Sequence, residues 1–335
     1  MNGEDVSERV YKYSIRVDAP TVTFLVFGYT IGAAVIIANA LEIHIIRKKW
    51  QKITDFELIL FNLAIADAFT GVFYLSLAGM ETYIYVQKKI IKDKFLVAVY
   101  FHIIVSVIVS VNFVILIGTE RLFAIRLPLQ HRMFHMKRRR VCGAVASIWI
   151  ITIILCAVVI ATDQKLTNEK GQIVSFGSLY LGYVYGAVLT FQSVVVLVLY
   201  TGVAVNVLRH RSRFIKLNRN TIKATRKTVT KSWKKERTIL IVCVLVVTSF
   251  LICTTPYAIR MYRGESATVE NLLLLSNSLI NPFIYFFKML IEKRHFRKRA
   301  LSARKGITET IKMSSTKKEN MGQAKENPVF ENGVI

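Results

Sequence analysis

The hydrophobic positions of this chain fall into seven long apolar runs that are separated by shorter polar segments. A helix needs about 20 apolar residues to cross roughly 30 Å of hydrocarbon, so these runs predict membrane-spanning helices. The seventh run has the weakest pattern, because Asn, Ser and Pro interrupt it. The expected helices are Phe24 to Ile46, Phe56 to Leu77, Phe95 to Phe123, Val141 to Ala161, Ser178 to Leu208, Thr238 to Tyr257 and Ala267 to Phe287.

Composition favours a membrane protein over a soluble one. Hydrophobic residues make up 53% of the chain and the mean hydropathy is +0.42, which argues against a surface solvated by water. A formal net charge of +25 would suggest a nucleic-acid partner in a soluble protein. Here the Lys and Arg residues lie between the apolar runs, so their charge indicates membrane topology and no nucleic acid is expected.

The basic residues predict which ends of the helices are cytosolic. The segments after the first, third, fifth and seventh runs are rich in Lys and Arg, whereas the basic stretch from Lys88 to Lys94 is an exception on the other side. With an odd number of spans, the N-terminus is then outside. The expected all-α fold comprises an extracellular segment 1–23, a seven-helix bundle 24–287, an amphipathic interfacial helix 288–300 and a disordered cytoplasmic tail 301–335.

Several polar residues lie at mid-membrane depth in the predicted spans. A charged group there costs about 3 kcal/mol on insertion scales, so Asp67 is a candidate functional residue. Its oxygen atoms and those of nearby polar side chains could hold one small hard cation, or they could form a neutral seam that packs the helices. The other members of this set are Asn39, Ser110, Asn277, Ser278 and Asn281.

The inner ends of two predicted helices carry opposite charges. Glu120 and Arg121 end the third span, and Glu236 precedes the sixth, so an Arg121–Glu236 clasp is one interpretation. Charges that extend to the membrane interface are the alternative. Pro256 and Pro282 each remove one helical hydrogen bond, which makes both positions candidate hinges or static kinks.

These residues occur one per helix and in an order that resembles the rhodopsin-like, class A family of G-protein-coupled receptors. The similarity extends from about Asn39 to Phe296. Its motifs are Leu63-Ala64-Ile65-Ala66-Asp67 in helix 2, Glu120-Arg121-Leu122 in helix 3, Trp149 in helix 4, Tyr200 in helix 5, Phe250 and Pro256 in helix 6, and Asn281-Pro282-Phe283-Ile284-Tyr285 in helix 7.

The resemblance implies a receptor of the plasma membrane that passes an outer signal to a heterotrimeric G protein. Binding of an extracellular ligand would favour a state in which helix 6 swings outward, the clasp opens and a sodium ion near Asp67 is lost. The implied activation residues are Glu120, Arg121, Tyr200, Glu236, Phe250, Pro256, Asn281, Pro282 and Tyr285. The implied sodium ligands are Asp67, Ser110, Asn277, Ser278 and Asn281, and no other cofactor is expected.

Further implied partners are membrane lipids, and kinases and arrestin at the tail. The candidate phosphorylation sites are Ser302, Thr308, Thr310, Ser314, Ser315 and Thr316.

The sequence departs from the family at four positions. Leu96 stands in place of a cysteine that is usually bridged to the second outer loop, and Gln192 replaces the helix 5 proline. These two departures are also similar to those of the melanocortin, cannabinoid and lysophospholipid receptors. Thr254 replaces the tryptophan of the helix 6 switch, and Leu122 replaces the tyrosine after Arg121.

The ligand class is narrowed by exclusion. Ile103 stands where an aminergic receptor has Asp, and helix 7 has no Lys before Lys288 to hold retinal, so a lipid, a peptide or another non-aminergic ligand is favoured. The candidate ligand-binding residues are His102, Ile103, Ser106 and Thr254, with Tyr83, Tyr85, Tyr183 and Tyr185 as further residues that could reach an outer site or lie at the membrane interface.

A transporter or channel is the alternative function, because polar seams and prolines also mark ion pathways. No inverted repeat is visible, and the signature residues concentrate at the cytosolic end, which favours a receptor. An enzyme is not expected, because His44 and His102, the histidines near the spans, lie toward opposite faces of the membrane.

Overall fold

The structure is a computed structural model that describes residues 19–48, 50–87, 93–127, 138–162, 179–217, 223–263, 269–286 and 289. Every regular element in these ranges is helical. The α-helices are α1 (Ala19–Arg47), α2 (Asp55–Gln87), α3 (Asp93–Arg126), α4 (Arg138–Thr162), α5 (Leu179–Leu217), α6 (Lys223–Arg263) and α7 (269–286), and a short 3-10 helix occupies Trp50–Lys52.

The predicted all-α architecture with seven helices is confirmed. Helices α1 to α6 each contain a stretch that is long and apolar enough to cross a membrane, and α7 follows as a shorter and more polar helix. Two helices extend well beyond their apolar runs, since α5 continues to Leu217 and α6 begins at Lys223. Lys and Arg are good helix formers, so a basic segment can prolong a helix into the aqueous phase.

The chain forms two compact units, Met1–Ile284 and Tyr285–Ile335. In the first, α3 packs against α2, α4 and α5, while α1 packs on α2 and α6 packs on α5. Helix α4 presents a row of exposed apolar side chains, as expected for a lipid-facing helix. The predicted N-terminal segment, interfacial helix and tail fall almost wholly outside the described residues, so these segments, like the orientation, remain predictions.

A capping box fixes the start of α2. The backbone N–H of Thr54 donates to Glu57 Oε2 at 3.0 Å, and the backbone N–H of Glu57 donates to Thr54 Oγ1 at 3.2 Å. The reciprocal pair satisfies two N–H groups that have no partner within the helix. It therefore sets where the helix that carries Asp67 begins.

Helices α1 and α2 approach closely at two glycines. A Cβ atom built on Gly71 would lie 2.9 Å from Ile36 Cγ1 and 3.0 Å from Val35 Cγ1, and one built on Gly32 would lie 2.8 Å from Leu75 Cδ2. Small residues at a helix interface let the backbones approach, which is a common way to pack helices in a bilayer. The contact lies one turn from both Asn39 and Asp67.

Candidate functional site

Asp67 is the centre of a hydrogen-bond network that joins α2, α3 and α7. Its carboxylate is buried, and it accepts a hydrogen bond from Ser110 Oγ to Oδ1 at 2.7 Å and one from Asn281 Nδ2 to Oδ2 at 2.8 Å. Asn277 and Ser278 are also buried on α7. The structure thus brings together the residues that the sequence predicted as one polar set, and the two hydrogen bonds link helices far apart in sequence.

Helix α1 contributes two further groups to this region. The Asn39 amide donates to the backbone carbonyls of Val35 at 2.9 Å and Ser278 at 3.1 Å, while its buried Oδ1 has no hydrogen-bond partner among the described residues. Glu42 lies one turn further along α1 with 2% of its surface exposed, near enough to Asp67 for the two carboxyl groups to interact electrostatically. Sequence reasoning missed Glu42, although its spacing of three residues from Asn39 places both on one face of the helix.

The residue that replaces the expected helix 5 proline forms a second polar link. Gln192 Nε2 donates to Asn112 Oδ1 at 3.0 Å and lies 3.4 Å from the backbone carbonyl of Ile108. The Asn112 amide reaches Thr152 Oγ1 at 3.5 Å, so side chains from α3, α4 and α5 are connected. The departure at Gln192 therefore supplies a contact between helices that a proline could not make.

Arg121, near the C-terminal end of α3, contacts an acid and an aromatic ring. Its Nε lies 3.0 Å from Oε2 of the neighbouring Glu120, and its guanidinium carbon lies 3.8 Å from the ring centroid of Phe56 on α2. The other half of the predicted clasp is not tested, because the Glu236 side chain lies outside the described residues. In the described part of the chain, Arg121 is held by α2 and by its own helix.

Tyr200 lies against α3 close to this site. Its hydroxyl donates to the backbone carbonyl of Val114 at 3.2 Å, and the side chain is buried. The ring occupies the space left by Gly118, where an added Cβ would lie 2.8 Å from Tyr200 Cε2. Gly118 was not a candidate on sequence grounds, because its role depends on a residue of another helix.

The middle of α6 contains the predicted switch residues. Pro256 lies within the helix and Phe250 is fully buried six residues earlier. Thr254 is buried between them, donates to the backbone carbonyl of Phe250 at 2.8 Å and lies 3.3 Å from Ser193 Oγ of α5. A hydroxyl link thus occupies the position where the family has a tryptophan.

The end of α7 extends into the second unit. Pro282 is buried within the helix at the end of the first unit. Tyr285 begins the second unit, and its ring centroid lies 6.1 Å from that of Phe286.

The predicted ligand-binding residues divide between the interior and the outside of the bundle. Ile103 and Ser106 are buried, and Thr70 Oγ1 donates to Ser106 Oγ at 3.0 Å. His102 is exposed and stacks on Phe73 with ring centroids 4.5 Å apart. Because neighbouring positions on a helix face different directions, His102 and Ile103 do not line the same surface.

Comparison with known proteins adds independent information. Residues 38–285 match the model of the 7 transmembrane receptor (rhodopsin family). The chain is also similar to G-protein coupled receptor 183-A from Danio rerio, with 22% identity over 75% of this chain and 72% of that protein. The matched region includes every signature motif quoted above and the whole polar network.

Proposed function

The chain belongs to the rhodopsin family of seven-transmembrane receptors, and from this we propose that it activates heterotrimeric G proteins in response to an extracellular ligand. It is a multi-pass membrane protein of a receptor family and not an enzyme. The observation that carries the proposal is the packing of two signature side chains at the proposed inner end of the bundle. Arg121 lies over the Phe56 ring, and the Tyr200 hydroxyl donates to the Val114 carbonyl. Both can be redirected without breaking a covalent or helical bond.

The proposed mechanism is a shift between two packings of the same helices. A ligand that binds more tightly to one packing shifts the equilibrium toward that packing. The size of the shift is set by the difference between the binding free energies for the two packings. In the active packing, α6 bends outward at Pro256, Arg121 leaves Glu120 and Phe56, and Tyr200 leaves the Val114 carbonyl. The inner ends of α3, α5 and α6 then frame a crevice for a helix of the G protein.

A direct test uses the full-length receptor in lipid discs with purified G proteins from each major family. We expect at least one to exchange nucleotide, or to form a complex that survives gel filtration after apyrase removes free nucleotide. Empty discs are the control. If a folded receptor neither forms a complex with any of these G proteins nor promotes exchange on them, the proposal is wrong.

The family also implies an allosteric sodium ion, and the residues present fit one. Asp67 supplies a buried carboxylate and Ser110 a hydroxyl, and Asn39 supplies a buried carbonyl oxygen that no described residue hydrogen-bonds. Oxygen donors of this kind suit a small hard cation, with Asn277, Ser278 and Asn281 beside them. We propose that a bound sodium ion would stabilise the packing in which α2, α3 and α7 converge on Asp67.

Replacing Asp67 with Asn should remove the sodium sensitivity of the receptor. In the wild type, sodium chloride should slow basal nucleotide exchange relative to potassium chloride at equal ionic strength, by about fivefold for a typical allosteric coupling. The Asp67→Asn variant should exchange at the same rate in both salts, because a neutral amide attracts a cation less strongly. A sodium effect that persists in the variant would favour the interpretation as a neutral polar seam.

A further inference from the structure

The outer half of the bundle contains a cluster of tyrosines from four helices. The members are Tyr74 on α2, Tyr100 on α3, Tyr185 on α5 and Tyr257 on α6. The rings of Tyr185 and Tyr257 are 5.7 Å apart and meet edge to face, Tyr74 belongs to the same buried core, and Tyr100 packs against it. We refer to these four residues as the tyrosine cluster.

One acid extends the α2 face that forms part of this cluster. Tyr74, Leu77 and Ala78 are buried, and Glu81 follows at the spacing that continues the same face by one turn. Because Tyr74 belongs to the cluster, this spacing places Glu81 on the same side of α2, two turns further along the helix. Among the described residues, no cation and no hydrogen-bond donor pairs with Glu81.

One hydroxyl of the tyrosine cluster also lacks a hydrogen-bond partner among the described residues. Within the described ranges of the chain the buried Tyr185 hydroxyl makes no hydrogen bond, whereas the Tyr74 hydroxyl donates to Asn271 Oδ1 of α7 at 3.4 Å. A buried hydroxyl without a partner is unfavourable, so a bound molecule that supplies an acceptor or a donor there is favoured. This observation is independent of the charge on Glu81.

Glu270, near the start of α7, differs from Glu81 because it has a basic partner. Glu270 on α7 accepts a hydrogen bond from Arg260 Nε of α6 at 2.9 Å, so its charge is already balanced. A carboxylate beside aromatic rings is the arrangement that binds ammonium or guanidinium groups, through an ion pair together with cation–π contacts. A negatively charged ligand would instead be repelled by Glu81.

The geometry points to a binding site for a positively charged ligand group, with Glu81 as its counter-ion and the tyrosine cluster as its aromatic wall. The inference rests on the proposed receptor function and specifies the chemistry of the ligand. The group is an ammonium or guanidinium, carried either by a small amine or by a basic residue of a peptide. Glu81 on α2 would then take the place of the helix 3 acid that Ile103 replaces.

The test measures binding by thermal unfolding of the receptor in lipid discs, with no G protein present. The probes are phenethylammonium as a small amine, acetyl-Phe-Arg-amide as a basic peptide, and phenethyl alcohol and acetyl-Phe-Gln-amide as their neutral counterparts. A ligand that binds only the folded state raises the melting temperature in proportion to its concentration and affinity. We expect at least one cationic probe to stabilise the wild type and the neutral counterparts to have no effect.

Glu81→Gln should weaken binding of the active probe about tenfold or more, because the ion pair is lost. Glu81→Asp should retain most of the affinity, and Tyr185→Phe should weaken it by a smaller factor. Asp55→Asn is the matched control, since it removes the same charge from the inner end of α2. The arm that responds, amine or peptide, identifies the source of the cation.

Three results would overturn the inference. One is that no cationic probe stabilises a wild-type receptor that does form a complex with a G protein. Another is that Glu81→Gln binds the active probe as tightly as the wild type does. A third is that Glu81→Gln lowers the melting temperature by the same amount whether or not the probe is present. Glu81 would then stabilise the folded chain itself and would not bind the probe. Because these readouts contain no G protein, they are separate from a failure of G-protein activation.

Discussion

Replacing Arg121 with Ala is expected to reduce receptor-dependent nucleotide exchange to the level of empty discs. The structure holds the guanidinium against Glu120 and Phe56, near the C-terminal end of α3. In the proposed active packing it is the group that the G-protein helix contacts, and alanine has neither its charge nor its reach. The measurement is exchange on the G protein that couples to the wild type, with receptor amount and melting temperature determined in parallel.

The matched control for this variant is Arg126→Ala, which removes the same side chain in the last turn of α3 where Arg126 is exposed. Arg126→Ala should retain most of the exchange activity. Wild-type exchange by a folded Arg121→Ala receptor would remove Arg121 from the mechanism. Loss of exchange together with a large fall in melting temperature would show a structural role instead, and Arg121→Lys would then test whether positive charge alone restores coupling.

Replacing Gly71 with Ala should destabilise the receptor, although alanine ordinarily favours a helix over glycine by about 1 kcal/mol. The new Cβ would lie 2.9 Å from Ile36 Cγ1, 3.0 Å from Val35 Cγ1 and 3.1 Å from the Gly32 backbone oxygen. The Gly32 oxygen belongs to the backbone and cannot rotate away as a side chain can, so α1 and α2 must separate. Overpacking of this kind costs about 1–3 kcal/mol. The melting temperature in lipid discs should fall by several degrees, and the yield at the cell surface should fall with it.

Gly143→Ala provides the comparison for the glycine experiment. A Cβ at Gly143 would have no atom within 4 Å, so this variant should be neutral or slightly stabilised. Opposite effects of the same substitution at the two sites would confirm that close packing, and not helix propensity, governs Gly71. Equal melting temperatures for both variants would contradict the prediction.

The sequence was sufficient to predict the class of fold and to identify the polar residues at mid-membrane depth. Long apolar runs determine where helices cross the membrane, because the bilayer offers no hydrogen bonds to an open backbone. A polar residue within such a run must face the interior, so Asp67, Ser110 and Asn281 could be grouped from depth alone. In the structure, Ser110 and Asn281 each donate a hydrogen bond to the Asp67 carboxylate.

Other features of the site depend on contacts between helices, which no single stretch of sequence contains. Gly118 matters because Tyr200 of α5 occupies the space beside it, and Gln192 matters because it reaches Asn112, whose amide in turn reaches Thr152. Helix periodicity could have placed Glu42 beside Asn39, but not beside Asp67. Whether Arg121 has a second acidic partner at Glu236 stays a prediction.

By itself, the sequence determined that the chain spans the membrane as seven helices and that it carries the signature residues of its receptor family, because hydropathy and local spacing are properties of one segment at a time. The tertiary structure decided how the side chains of different helices combine. It placed the His102 side chain on the exposed surface of the bundle and that of Ile103 in the interior. It also left Glu81, on the α2 face that includes Tyr74 of the tyrosine cluster, without a partner among the described residues. Rotation of each helix about its axis is fixed only by packing against its neighbours, and that rotation selects which polar groups meet.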